Sequence, residues 1–417
     1  MRVESLSVLK RDGGLLFGTR VVRMFGYGFL AVVLALYLAE LGFDGGQLGL
    51  LLSLTLVGDT LISLWLTTSA DRIGRRRVLI TGALLMIGAG VAFVATRNLA
   101  LLVVAATVGV ISPSGNEVGP FLAIEQASLA ETIPDAQRTA VFAWYNLVGS
   151  VATASGSLAS GLLAQALQSA GLAPVESYRS IVLGYAALGV VLVLAFSRLS
   201  AAIEVRPEAR SPLAGRFGLH RSRGIVVRLA ALFSLDAFGG GLVTQSLLAY
   251  WFHVRFGADP ALLGAIFFGA NILAAVSALS AARLAARIGL INTMVFTHLP
   301  SNVLLLLVPF MPNLPLAILV LLARFSISQM DVPTRQSYTI AVVDPDERSA
   351  AAGVTGIART TGAALSPLVA APMITMPELA ALPFVLAGGL KIVYDLVLYR
   401  LFRSTPAPGE RPSRARK

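Results

Sequence analysis

Asp59, Arg324 and Arg359 each stand deep inside a long apolar run. If those runs cross a bilayer, an ionised group there costs about 2.5–3.5 kcal/mol on insertion scales, so it must be paired, hydrated or functional. Asp59 lies 12 residues after Gln47 and 12 before Asp71, Arg324 lies 9 past Pro315, and Arg359 lies 10 past Ser349. At about 1.5 Å per helical residue, the two arginines reach about 14–15 Å into their spans. An acid in low dielectric beside a movable cation can take up and release a proton, which makes Asp59 the coupling candidate. A guanidinium at that depth can draw in an anionic or polar group of a solute, a role assigned to Arg324 with Arg23. A second layer of charge comprises Arg23, Glu117, Asp236, Asp331 and Arg335, with Glu117 and Asp236 balancing the local charge. Lys391 and Asp395 are spaced i, i+4, which suits a local pair. His253 and His298 could carry protons, but packing is the expected role.

Two stretches join such residues to helix breakers. Ser112-Pro113-Ser114-Gly115-Asn116-Glu117 is followed by Gly119-Pro120, and Asp331 is followed two residues on by Pro333. Proline removes a backbone donor and frees carbonyls that a cavity, water or ion can use. Breaks at corresponding places in two halves point to a binding or gating region, which places Asn116 among the candidates.

The elements that must position these groups follow from composition. Of 417 residues, 56% are hydrophobic and 13% charged, against about 25% charged in soluble domains. Apolar runs of bilayer-spanning length recur near 15–41, 47–69, 78–95, 99–122, 138–167 and 179–197. They recur again near 228–252, 261–283, 290–310, 315–340, 350–372 and 382–402. The expected fold is an all-α integral membrane protein of twelve transmembrane helices in two pseudo-symmetric six-helix bundles, 14–197 and 228–402. A cytosolic segment 1–13, an Arg/Pro/Ser-rich cytosolic linker 198–227 and a cytosolic tail 403–417 flank them. The N-terminal apolar run carries Arg20 and Arg23 and does not resemble a cleaved leader.

Arg97, Arg179 and Arg255 are the basic residues on one set of loops, while most of the 33 Lys and Arg lie on the other set, in the linker or at the termini. That asymmetry places both termini in the cytosol, in the inner (cytoplasmic) membrane of the cell, facing anionic lipid headgroups. The net charge of +11 therefore implies membrane orientation and no nucleic-acid partner. With no cysteine and 3 histidines, thiolate metal sites, disulfides and cysteine nucleophiles are excluded. No metal or cofactor is expected. No nucleotide-binding loop or nucleophile elbow appears, so no enzyme is expected.

The halves repeat. Ala70-Asp71-Arg72-Ile73-Gly74 matches Ala285-Ala286-Arg287-Ile288-Gly289. Glu125-Gln126 with Arg138 matches Arg335-Gln336 with Arg348, and Arg23-x-Phe25-Gly26-x-Gly28 matches Asp236-x-Phe238-Gly239-x-Gly241. The run Asp71-Arg72-Ile73-Gly74-Arg75-Arg76, between spans two and three, resembles the Asp-Arg-x-Gly-Arg-Arg signature of the major facilitator superfamily. The resemblance covers residues 14–403. The second copy has Ala286 for the acid, and the small-residue run 149–161 lacks the proline of the drug/proton antiporters in that family.

The resemblance implies a cytosolic gate at Asp71, Arg72, Gly74, Arg75 and Arg76, with Asp71 meeting the positive N-terminal end of a neighbouring helix. It also implies a cavity lined by spans one, four, seven and ten, faced by Arg23, Glu117, Asp236, Arg324 and Asp331. Asp59 would meet Arg359, and Arg23 and Asp236 could pair between halves. The function so implied is a monomeric secondary transporter working by alternating access on a small molecule, with proton-coupled efflux as an antiporter. Uptake or exchange of an organic or inorganic anion is the alternative reading. A channel or a non-transporting membrane sensor is the reading from another class.

Overall fold

The computed structural model describes residues 11–204, 219–344 and 347–405. Residues 1–10, the linker arginines Arg206, Arg210 and Arg216, and most of the tail lie outside the described residues.

The first half folds as α1 (Arg11–Ala31), α2 (Leu34–Glu40), α3 (Gly45–Ile73), α4 (Arg75–Ala95), α5 (Leu99–Val108), α6 (Phe121–Thr132), α7 (Asp135–Ser169) and α8 (Pro174–Ser197). The second half supplies α9 (Arg223–Gly241), α10 (Gln245–Phe256), α11 (Pro260–Ile288), α12 (Leu290–Leu307), α13 (Leu314–Phe325), α14 (Asp331–Ala341), α15 (Arg348–Ile374) and α16 (Leu382–Phe402). Eight helical stretches are long and apolar enough to cross a bilayer, and α1 with α2, meeting at 42°, make a ninth. Three expected spans differ. Spans four and ten are each split, into α5 and α6 and into α13 and α14, while α15 carries Arg359, Pro367 and Pro372. Together these make the twelve-span, all-α membrane fold.

Helix starts are encoded locally. Asp44 and Gln47 form a reciprocal capping box on α3, and the side chains of Asn98 and Asn313 cap α5 and α13. Large apolar side chains remain open on the outer faces, among them Leu61 at 61%, Trp65 at 62% and Leu319 at 62% exposure. In water such faces would need covering; in a bilayer they are solvated by lipid.

The described residues divide into two compact units, one of 11–204 with 245–268 and one of 219–244 with the described residues from 269 to 405. The sequence places residues 245–268 in the second bundle, whereas they pack with the first unit. The cause is a set of backbone acceptors that regular helix would not offer. Ser246 donates through its amide (3.0 Å) and hydroxyl (2.7 Å) to the carbonyl of Pro113, in the break of span four, and its hydroxyl also lies 2.7 Å from the carbonyl of Ala31 at the end of α1. The Gln245 amide donates to the Ser157 hydroxyl at 3.1 Å.

Candidate functional site

In the first unit the charges of α1 are neutralised by carboxylates of span four. Arg23, fully buried, donates Nε to Glu117 at 2.8 Å and both terminal nitrogens to Glu125 at 2.7 Å. Arg20 pairs with the other oxygen of Glu117 and gives Nε to the carbonyl of Tyr145 at 3.0 Å. Thr19 donates to Glu125 at 2.9 Å, and the Tyr145 hydroxyl donates to it as well. Two arginines thus meet two glutamates, a neutral cluster with its acceptors filled. Arg20 and Glu125 were not among the sequence candidates, although Glu125 stands in the repeat.

Asp59 has a different environment. Its carboxylate accepts the amide of Gly119 and, at 2.9 Å, the hydroxyl of Ser63. Gly119 lies in the non-helical stretch between α5 and α6, with φ of +83°. Asp59 therefore receives a donor that the interrupted helix leaves free. Other groups of that stretch are also satisfied: Tyr27 donates to the carbonyl of Val118 at 2.9 Å, Tyr185 donates to that of Val110, and Ser112 donates to that of Asn116 at 2.7 Å. The Asn116 side chain is exposed.

The second unit holds the larger cluster. Asp236 on α9 accepts from Lys391 on α16 at 2.6 Å and from Arg335 on α14 at 3.0 Å; Arg335 also reaches Asp331 at 2.9 Å. Asp395 on α16 faces His298 Nδ1 at 2.9 Å and accepts from Asn302 at 2.9 Å, both on α12. Lys391 and Asp395 are therefore not the local pair that their spacing suggests: each reaches a different neighbouring helix. His298 is engaged with carboxylates as well as packed against the ring of Tyr394.

Arg23 and Asp236 belong to different units, and each has a partner within its own. The repeat appears inside each unit instead. Arg23 with Glu125 ties span one to span four, and Asp236 with Arg335 ties span seven to span ten, so the same joint is kept with its polarity reversed. Arg23, Asp236, Arg335 and Lys391 thus each find a counter-ion on a neighbouring helix of the same unit.

Two guanidiniums of the second unit stand apart. Arg324, 8% exposed, lies over the ring of Phe325 at 4.8 Å, and its Nε has no hydrogen-bond partner. Among the described residues neither Arg324 nor Arg359 forms an ion pair with a carboxylate. Asp59 and Arg359 fall in different units.

The loop between α3 and α4 turns at Gly74, whose φ of +107° only glycine adopts readily. The positive helix end there belongs to α4, and the carboxylate that meets it is that of Glu204, which accepts the amides of Arg75 at 2.7 Å and Arg76 at 3.1 Å. Asp71 instead accepts from Arg75 Nε at 3.1 Å, with its side chain 60% exposed. Arg75 also donates to the carbonyl of Ile203, at 3.2 Å, and Arg76 to that of Leu199, at 3.4 Å; Arg72 is exposed. The motif is thus clasped by the segment following span six. Glu204 gave no sequence signal, standing alone at the start of the linker.

A comparable clasp occurs before α9. The Ser222 hydroxyl and the backbone amides of His220, Arg221 and Ser222 hold the Glu347 carboxyl well below its usual range, at about 2. A carboxyl depressed on folding contributes stability that is complete above its ordinary value near 4.5 and is lost as pH falls towards 2. Comparing thermal unfolding of wild type and Glu347→Gln between about pH 6 and pH 2.5, the wild type is expected to lose its advantage over the variant within that window. A constant difference would show that Glu347 is not held ionised by the fold.

The sequence profile described as Major Facilitator Superfamily matches residues 16–367. An uncharacterized membrane protein of Saccharomyces cerevisiae, YJR124C, is 30% identical over 431 residues, covering 95% of each chain. The chain belongs to the major facilitator superfamily, whose members are multi-pass membrane transporters. Solved structures with the same fold include the nucleoside transporter NupG (TM-score 0.72, 15% identity, 94% of this chain and 100% of that one) and a D-xylose-proton symporter (0.72, 15%, 93% and 96%). The human organic anion transporter MFSD10 is a further one (0.61, 18%, 95% and 100%).

Proposed function

We propose that the protein is a secondary active transporter of a small anionic solute, working by alternating access and coupled to protons. The observation that carries this reading is Arg324, a nearly buried guanidinium that forms no ion pair with a carboxylate among the described residues. Burying such a charge is unfavourable unless something compensates it in the working cycle. Arg359, also without an ion pair among the described residues, adds a second positive group to the same unit. Arg23, Arg335 and Lys391 are already engaged by acids, which leaves Arg324 and Arg359 as the groups open to a carboxylate or phosphate of the solute. Drug-like efflux has no comparable support, since the acids Glu117 and Asp236 are held by arginine and lysine.

The purified protein, screened by thermal shift against carboxylates, phosphate esters, neutral sugars and organic cations, is expected to be stabilised by anions. In proteoliposomes with the pH gradient imposed in each direction, flux of that anion should follow the gradient, and its polarity tells symport from exchange. Arg324→Gln should lower the flux about 10- to 100-fold, the loss of one charge-assisted contact of about 1.5–3 kcal/mol, with little change in thermal stability because no protein partner is orphaned. Stabilisation only by cations or neutral compounds, or full flux in Arg324→Gln, would overturn the reading.

A further inference from the structure

His298 lies on α12, in the interior of the second unit, at 4% exposure. Each of its ring nitrogens faces a carboxylate: Nδ1 lies 2.9 Å from Asp395 and Nε2 lies 3.7 Å from Asp236. Asp395 is further fixed by the amide of Asn302, which spends a donor on the second oxygen at 2.9 Å. When the His298–Asp395 pair carries a single proton, that proton lies between Nδ1 and Asp395. The lone pair of Nε2 then points at an oxygen of Asp236, acceptor against acceptor. A second proton on the pair turns this contact into an attractive one, an imidazolium hydrogen-bonded to Asp395 on α16 and facing the Asp236 carboxylate on α9 at 3.7 Å.

The ring is enclosed by charged groups from several helices. Around the ring stand Asp236 from α9, Asp331 and Arg335 from α14, and Lys391, Tyr394 and Asp395 from α16, with Asn302 on the same helix. Among the directly bonded groups three acids face two cations, while Arg324 on α13 and Arg359 on α15 act on Asp236 and Asp331 through space. Asp236 is the shared element. Its Oδ1 lies 2.6 Å from Lys391 and 3.7 Å from His298, so protonating the imidazole puts a second cation on the oxygen that holds Lys391.

We propose that the His298–Asp395 pair is the proton-binding site of this transporter, with Asp236 relaying its charge state to Lys391 and Arg335. The proton comes from water on the more acidic side, occupies the pair and leaves to water on the other side; no other group changes covalently. An added positive charge in this unit favours an anion near Arg324 and Arg359, so proton and anion bind together. That last step rests on the reading of the solute as an anion, whereas the proton site stands on its own geometry.

The chain has 3 histidines, His220, His253 and His298, so imidazole nitrogen NMR of the labelled full-length protein in nanodiscs yields few signals. The one missing in His298→Gln is expected to belong to an Nδ1-protonated ring in alkaline buffer and to become imidazolium within about pH 5 to 9, with its midpoint moved by at least about one pH unit in Asp395→Asn. A ring that keeps one state throughout that range would overturn the proposal, whatever the solute. In proteoliposomes loaded with the anion found by thermal shift, His298→Gln should reduce acid-driven accumulation at least tenfold more than it reduces counterflow. An equal effect on both, or an unchanged pH profile, would overturn the coupling role. Absence of anion transport by wild type combined with a titrating His298 would instead reject the anion reading and keep the proton site.

Discussion

Glu125→Gln is expected to destabilise the folded protein by about 3–5 kcal/mol, the range for removing one partner of a buried ion pair. Arg23 is 0% exposed and Glu125 is 0% exposed, so neither can turn to water. Substitution leaves Arg20 and Arg23 sharing Glu117, with an uncompensated charge in the first unit. Glutamine also puts an amide donor in place of one carboxylate oxygen, so Thr19 and Tyr145 cannot both keep their acceptor. Denaturant or thermal unfolding in a mild detergent reads the loss. The double variant Arg23→Leu with Glu125→Leu should lose less than the sum of the single variants, because the pair is removed as a unit and Arg20 with Glu117 stays neutral. Glu176→Gln provides the contrast: its partner Arg179 lies at 2.7 Å, but the carboxylate is 46% exposed, and such pairs contribute about 0–1 kcal/mol. If Glu125→Gln behaved like Glu176→Gln, the buried cluster would not be as described.

Much of the fold was legible because a membrane imposes strong rules. Apolar run length is a direct consequence of having no water to hydrate the backbone, and the breaks in spans four and ten and the two-fold repeat are written in Pro, Gly and matching motifs. Pairing was harder to read. The sequence offered Arg23 and Asp236 as opposite charges at equivalent places, which suggested a link between halves. The same repeat aligns Glu125 with Arg335, and that alignment carries the observed answer, one inverted pair within each unit. For Lys391 and Asp395 the one-turn spacing implied a mutual pair, yet side-chain direction is decided by neighbours distant in sequence, Asp236 for the lysine and His298 for the acid. For Asp59 the spacing along its span indicated depth, and Arg359 as its partner came only from the family resemblance. Its amide donor from Gly119 depends on a backbone conformation that the run of Gly and Pro permits without specifying.

Gly156→Ala is the second substitution with a large expected effect. The helices α1 and α7 approach so closely that a β-carbon on residue 156 would sit 2.0 Å from the carbonyl oxygen of Phe25 and 2.9 Å from the amide nitrogen of Phe29. These are backbone atoms and cannot swing aside. Facing it on α1, a β-carbon on Gly28 would meet the carbonyl oxygen of Thr153, also at 2.0 Å. Small residues on both sides let two backbones touch, the packing by which membrane helices associate without a hydrophobic driving force between them. Adding one methyl forces the helices apart by about 1 Å or more and loosens contacts along their length, at or beyond the about 1–3 kcal/mol typical of overpacking. Gly88→Ala on α4 makes the opposite prediction, since nothing lies within 4 Å of the place its added methyl would occupy. There alanine should be neutral or add about 0.5–1 kcal/mol through helix propensity. Size-exclusion profiles and unfolding midpoints of the two variants, prepared side by side, should therefore diverge in sign. Comparable stability in both would mean that α1 and α7 are not in backbone contact.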